Sequence, residues 1–145
     1  FAARGRVRTI ALRPPPFMPR LPLQTGFALT GVFSLVEDMV SAHVAAARVL
    51  AGHQQPPAPP APFEPFFVMN RLPYTRADIP LLETNRNVRR LAQKHWPEAF
   101  DWLVERGYEG VSLVALYDIG KAERLLGWRP AHNFEEWFER NRSIL

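Results

Sequence analysis

Tyr117-Asp118-Ile119-Gly120-Lys121-Ala122-Glu123-Arg124-Leu125-Leu126-Gly127-Trp128-Arg129-Pro130 carries the start and the stop of a helix in its own residues. Asp118 is a capping residue type, and Ile119, Ala122, Leu125 and Leu126 follow at helical spacing. Gly127 stands where a left-handed C-terminal cap belongs, Trp128 where its hydrophobic contact falls, and Pro130 just beyond. These signals predict a helix beginning at or next to Asp118, a left-handed Gly127, and Trp128 packed back on that helix. Asn133 then caps a final helix, with Glu136 completing a capping box and Phe134, Trp137 and Phe138 giving an apolar face. Such an ending docks onto a body.

Upstream, two short runs read as buried strands. Val7-Arg8-Thr9-Ile10-Ala11-Leu12 is rich in β-branched residues and is stopped by Arg13-Pro14-Pro15-Pro16; apolar residues on both faces suit a strand covered on both sides. Phe66-Phe67-Val68-Met69 is the second, and both are expected in one sheet. Between them the residues from Pro19 to Phe33, with Pro22, Gly26 and Gly31, read as loop. A strong helix then runs from Asp38 to Leu50, with Glu37 and Asp38 at its dipole-favoured N-terminus. Val36, Val40, Val44 and Ala47 recur at helical spacing, so Val40 and Val44 are expected inside, with His43 packed and hydrogen-bonded beside them. Residues 53–65 form a proline-alanine connection suited to extended polyproline conformation. Its Pro57-Ala58-Pro59-Pro60 has PxxP spacing, but a stiff surface connection within one domain is the simpler account.

Thr75 and Asp78 have capping-box spacing, though Pro80 breaks such a helix early. A helix from Asn85 to Trp96 turns Val88, Leu91, Ala92 and His95 inward; Arg86, Arg89, Arg90 and Lys94 make its other face basic. Pro97 opens a further helix with Phe100, Leu103 and Val104 as its stripe and Gly107 as its stop. Residues 110–116 read as a short strand or an extended lead-in.

The whole is one domain's length at 145 residues, with 47% hydrophobic and 22% charged, too apolar for disorder. No apolar run approaches the ~20 residues of a spanning helix, and the first residues lack a signal-peptide order, so no membrane partner and a cytoplasmic location are expected. The first methionine is Met18, which suggests a piece of a longer chain. The absence of cysteine excludes disulfides, thiolate metal sites and cysteine nucleophiles. The four histidines have no metal spacing. A formal charge of +4 permits an anionic ligand, but the basic helix lacks interleaved aromatics, so nucleic acid is not expected. There is no GxGxxG after a strand, no GxxxxGK[ST], no HExxH and no GxSxG. No catalytic residue is assigned and no metal is expected.

Two stretches resemble one family. Phe33-Ser34-Leu35-Val36-Glu37-Asp38-Met39-Val40-Ser41-Ala42-His43-Val44 is similar to the F-V-x-V-x-D-V-A-x-A-H segment of extended short-chain dehydrogenases, and Tyr117 to Pro130 to their C-terminal [YF]-D-I-S-K-A-x-x-x-L-G-[WY]-x-P. This is the NAD-dependent epimerase/dehydratase family, which includes nucleotide-sugar epimerases, sugar dehydratases and steroid dehydrogenase relatives. Ile10-Ala11-Leu12-Arg13-Pro14 resembles the family's late strand and L-R-P-G-x-x-Y-G-P loop, and Phe66 to Asn70 its later F-x-V-x-[DG] strand. The resemblance covers most of residues 1–145, but only the family's C-terminal part. It implies an α/β chain: the C-terminal part of a Rossmann-like doubly wound fold with its small substrate-side helical region and an incomplete sheet. By the same resemblance Pro14 and Phe17 lie near the nicotinamide, and Arg13 and Pro16 near the substrate; Arg13 pairing with a carboxylate to hold the loop is an equal alternative. The family often places a substrate-contacting helix where residues 19–33 read as loop.

The family's glycine-rich turn and its Tyr-x-x-x-Lys pair are not in their expected places. Tyr117 and Lys121 have that spacing but fall inside the tail motif, so they are rejected as the catalytic pair. The expected protein is therefore a fragment of an NAD(P)-dependent oxidoreductase or epimerase, acting in the parent chain by hydride transfer on a carbinol or carbonyl substrate, with no cofactor bound by this chain alone. Nothing distinguishes NAD from NADP or a nucleotide sugar from a steroid-like alcohol, and a homo-oligomer is left open. The alternatives are a non-catalytic binding or interaction domain that uses the same half-fold, and a truncated product with no independent function.

Overall fold

Alternation of short apolar runs with amphipathic segments gives a mixed α/β chain. The computed structural model describes residues 7–58 and 61–145. Residues 1–6, where a signal sequence was sought, and Pro59 and Pro60 of the PxxP run lie outside the described residues. In chain order the elements are β1 (Thr9–Arg13), α1 (Pro22–Leu29), α2 (Val36–Leu50), β2 (Phe63–Phe67), a 3₁₀ helix (Arg76–Leu81), a second 3₁₀ turn (Thr84–Arg86), α3 (Arg89–His95), α4 (Pro97–Glu105), α5 (Gly120–Leu126) and α6 (Phe134–Asn141). No helix among the described residues is long and apolar enough to cross a membrane.

The chain forms two compact units, each built from three segments. One comprises Phe1–Met18, Ser34–Met69 and Tyr117–Ala131. Here β1 and β2 pair in parallel, Thr9 opposite Phe63 through Arg13 opposite Phe67. The predicted strands are thus neighbours, but β1 starts two residues later than Val7 and β2 three residues before Phe66, inside the proline-rich connection. Pro65 is tolerated because a proline, having no N–H, can sit on the outer edge of a strand. α2 packs on β1 and α5, and α5 on β2. Their shared core is Met39, Ala42, Val49, Phe66, Val68, Ala122, Leu126 and Trp128, with Ile10 and Leu12 packed against it.

α2 uses a different face from the expected one. Met39, Ala42, Ala46 and Val49 are buried, while Val40 is 58% and Val44 45% exposed. Both stripes are apolar, so periodicity does not choose between them; the small alanines let the helix lie close to the strands, and that stripe wins. His43 is accordingly on the exposed side, its Nδ1 hydrogen-bonded 2.7 Å from the Met39 carbonyl of its own helix. Asp38, in the first turn, is buried and accepts the Ala131 N–H at 2.8 Å.

The tail keeps its caps with one shift. α5 starts at Gly120, two residues after Asp118, because the Asp118 carboxylate accepts the Gly120 N–H at 2.7 Å and the turn so formed precedes the helix. Gly127 has φ 59°, and the Trp128 N–H turns back on the Ala122 carbonyl at 3.4 Å. Gln54 caps this end from a distant segment, its Nε2 donating to the Leu126 carbonyl at 2.7 Å. A Cβ at Gly127 would lie 2.3 Å from that Nε2. Gly127→Ala should therefore cost about 1 kcal/mol for the left-handed backbone, plus what is lost as Gln54 is pushed off the helix end. Urea unfolding midpoints of Gly127→Ala and Gln54→Ala, alone and combined, check this; a double variant much milder than the sum is the expected sign of the shared site.

The other unit comprises Pro19–Phe33, Asn70–Leu116 and His132–Leu145. It contains α1, where a loop was expected. Pro22 occupies the first turn, where its missing N–H costs nothing, and Gly26 is not a breaker but a packing residue: a Cβ there would lie 2.2 Å from the Trp137 ring. α3 begins at Arg89, four residues later than expected, because Asn85 and Arg86 have φ 58° and 56°, outside a right-handed helix. Val88, Leu91 and Ala92 are buried as predicted, and His95 is half-buried. α4 and α6 match their predicted starts, α6 with both capping-box hydrogen bonds of Asn133 and Glu136. Residues 110–116 form no strand; Gly110 has φ 90°, and Ser112 makes an isolated bridge to Asn87.

Candidate functional site

Parallel strands direct their carboxyl ends toward the same side, where the loops that follow meet ligands in open α/β sheets. In this chain the loop leaving β1 is Arg13 to Met18. The Val68 N–H on the Arg13 carbonyl at 3.3 Å carries the strand pairing one step past β2, and the Ser34 N–H on the Pro16 carbonyl at 3.3 Å ties the loop to the entry of α2. Arg13, Pro14, Pro16 and Phe17 are all exposed. The Arg13 guanidinium lies over the Phe67 ring, 5.9 Å from its centroid, so an aromatic face holds it instead of the carboxylate considered above. The Phe67 ring also meets Tyr117 at 4.9 Å.

Three consecutive prolines set what this loop can do. Each fixes φ near −65° and none has an N–H, so residues 14–16 offer carbonyls and apolar ring surface only. They cannot cradle a phosphate, which needs converging backbone N–H groups. Phe17, 39% exposed, and Met18, 70% exposed, extend the apolar surface, and Arg13 is the loop's one cation. The loop suits a flat, weakly polar ring beside an anionic or carbonyl group. Ser34 beneath it is fully buried and its hydroxyl has no hydrogen-bond partner.

Tyr117 precedes α5, so it does not share a helical turn with Lys121. Lys121 forms an ion pair with Glu64, hydrogen-bonds the Pro65 carbonyl at 3.0 Å and lies over the Phe66 ring at 5.1 Å. That hydrogen-bonded ammonium, helped by the Ala61 N–H, holds the Glu64 carboxyl below the usual carboxylate range. Lys121 fastens α5 to β2.

The second unit contains a cluster that sequence reading reduced to a cap. Both capping-box bonds of Thr75 and Asp78 are present, and Pro80 is accommodated because the helix they start is a 3₁₀ turn. Asp78 is 1% exposed; besides the Thr75 N–H at 2.8 Å, it receives the Lys94 ammonium, and His95 Nε2 lies 3.3 Å from its Oδ2 without a hydrogen bond. Lys94 and His95 lie at the far end of α3, so no local spacing could reveal the association. Around it, Tyr74 donates to the Thr30 carbonyl at 2.6 Å and its ring packs on His95 at 5.3 Å. Burial pushes the Tyr74 hydroxyl well above its ordinary range and Tyr108 up to about 12, so both stay protonated near neutrality and neither is a base. The remaining cations of the basic face are engaged too: Arg86 on the Val114 carbonyl, Arg89 on the Tyr108 carbonyl, and Arg90 on Glu83 at 3.0 Å. Among the described residues no group of three or more His, Asp or Glu side chains is placed to hold a metal ion.

The hydrogen bond from Lys94, then that of the Thr75 amide, holds the Asp78 carboxyl well below the ordinary carboxylate range. A carboxylate whose pKa is lower folded than unfolded adds stability above its unfolded value of about 4 and loses it as pH falls through the folded value. Unfolding stability should therefore decline on acidification below about pH 4, and Asp78→Asn, itself less stable at pH 7, should show a flatter decline. Urea midpoints from pH 7 to pH 2 check both slopes.

Comparison with protein-family models, with curated proteins and with solved structures finds no match to this chain.

Proposed function

We propose that this chain is the C-terminal, substrate-side portion of an NAD(P)-dependent oxidoreductase of the epimerase/dehydratase type, inactive without the cofactor-binding strands. The observation that carries this reading is the parallel pairing of β1 and β2 with the Arg13–Met18 loop at the carboxyl end of β1. The helical segment α1, with the tail helices α5 and α6 at their capped positions, adds to it. In the parent protein, a Rossmann-like doubly wound fold, NAD or NADP would supply the hydride chemistry. Pro14 and Phe17 would cover the flat nicotinamide end, and Arg13 and Pro16 would face a nucleotide-sugar or steroid-like carbinol. A loop without N–H groups at three successive positions fits that end of a dinucleotide and not its pyrophosphate.

The reading is tested by titration calorimetry with NAD and NADP on the 145-residue chain. No heat of binding at micromolar to high-micromolar cofactor is expected. Micromolar binding to a monomer would overturn the assignment, because it would place a complete phosphate site within residues that do not supply one. In the upstream coding sequence, an in-frame glycine-rich turn and Tyr-x-x-x-Lys are expected. The exposed Val36, Val40 and Val44 stripe of α2 favours the second reading, a non-catalytic interaction domain that self-associates. Light scattering over a dilution series distinguishes them when repeated with Val40→Lys, which should abolish association only if that stripe is the interface.

A further inference from the structure

The junction of α3 and α4 and the first turns of α6 enclose an open cleft of about 290 Å³. Its floor is aromatic. Trp96 and Phe134 rings meet at 4.5 Å, and Phe134 and Phe138 stack at 5.9 Å. Trp96 and Phe134 are 8% and 1% exposed, so they are fixed by packing, and the half-buried Phe138 presents the accessible ring. Its rim is acidic: Glu98, Glu135 and Glu139 are all exposed and line the cleft, and no lysine or arginine does. Glu135 is held in place, its Oε1 accepting the Trp96 indole N–H at 2.7 Å. Glu139 is paired with Arg142 at 3.1 Å, and that arginine lies over the Phe138 ring at 5.9 Å, so a guanidinium already rests against one wall.

We propose that this cleft binds a small organic cation, an ammonium or guanidinium head on an apolar body. Ring faces carry negative quadrupole potential and attract such heads, and carboxylates above them complete the charge match. The N-termini of α4 and α6 oppose this with about half a positive charge each, less than the two carboxylates of Glu98 and Glu135 supply, Glu139 being paired with Arg142. In a chain of net charge +4 a cleft whose rim carries glutamates, with His95 as the other titratable lining residue, runs against the background, and an anionic ligand would gain nothing from it. The volume suits one ring and a short amine-bearing chain, and the site is independent of the cofactor-side loop.

The probe is 2-phenylethylammonium, with 3-phenylpropanoate as the same body carrying the opposite charge. Titration followed by the Trp96 indole N–H resonance should show saturable millimolar binding of the cation, weakened by added salt, and none of the anion. Glu135→Gln keeps an acceptor for Trp96 and removes one charge; it should weaken binding about threefold to fivefold, the worth of one partly exposed charge pair. Glu98→Gln, at an exposed position, should do the same and serves if the first variant misfolds. Equal binding of cation and anion, binding indifferent to salt and to both variants, or no saturable shift would each overturn the proposal.

Discussion

Asn70→Leu is expected to cost at least ~3 kcal/mol. Asn70 is 2% exposed, and its amide serves three backbone groups: Nδ2 donates to the Leu29 carbonyl at 2.8 Å and the Gly31 carbonyl at 3.0 Å, and Oδ1 accepts the Phe33 N–H at 3.1 Å. The Asn70 N–H adds a fourth bond, to the Phe33 carbonyl at 3.0 Å. Leucine is close in size, so little cavity forms; what it removes is the side-chain partner of the Leu29, Gly31 and Phe33 backbone groups. Each buried backbone group left unpaired costs about 1–3 kcal/mol, and here three are stranded together. Urea unfolding monitored by circular dichroism gives the loss. Asn70→Asp is the control: it still accepts from Phe33 but turns an acceptor toward two carbonyls, so it should be at least as damaging. A loss below 1 kcal/mol for Asn70→Leu would mean that residues 29–33 are not held by this side chain.

That clamp marks the boundary of what the sequence discloses. Signals that act over a few residues were legible: Gly127 as a left-handed cap, the Asn133–Glu136 box and Pro97 at a first turn. Each depends on backbone geometry that neighbouring residues set by themselves. Features that need distant partners were not. Gly26 reads as a breaker until Trp137 is seen to fill the space its missing side chain leaves. The valine stripe and the Met39–Val49 stripe of α2 are equally apolar, and only the sheet decides between them. The Asp78, Lys94 and His95 cluster joins residues sixteen and seventeen positions apart through a 3₁₀ turn that proline appeared to forbid. For the candidate site, the loop at Arg13 to Met18 was legible as a strand exit, because three prolines announce it. The cation-π seat of Arg13 on Phe67 was not, since it depends on the parallel register.

Trp128→Ala is expected to cost about 3–5 kcal/mol, the range for emptying a large aromatic site in a core. Trp128 is 3% exposed and packs among Met39, Ala42, Phe66 and Leu126, joining the tail to the strands and α2 of its unit. Its indole N–H also donates to the Ser41 hydroxyl at 2.8 Å, so the ring is fixed at both its apolar body and its polar edge. Trp128→Phe separates the two contributions. Phenylalanine keeps most of the buried area but leaves Ser41 without that donor and a small void, for an expected loss of about 1–2 kcal/mol. Ser41→Ala should cost less, because it removes only the acceptor from a half-exposed end of the contact, and combined with Trp128→Phe it should add little. This ordering follows from the tail being docked as an integral part of the unit. If Trp128→Ala instead lost less than 1 kcal/mol while Gly127→Ala still cost its expected amount, α5 would be a locally stable helix whose capping residues serve only itself. The structural support that α5 and Trp128 give to β2 and the loop beside it would then be lost from the functional reading.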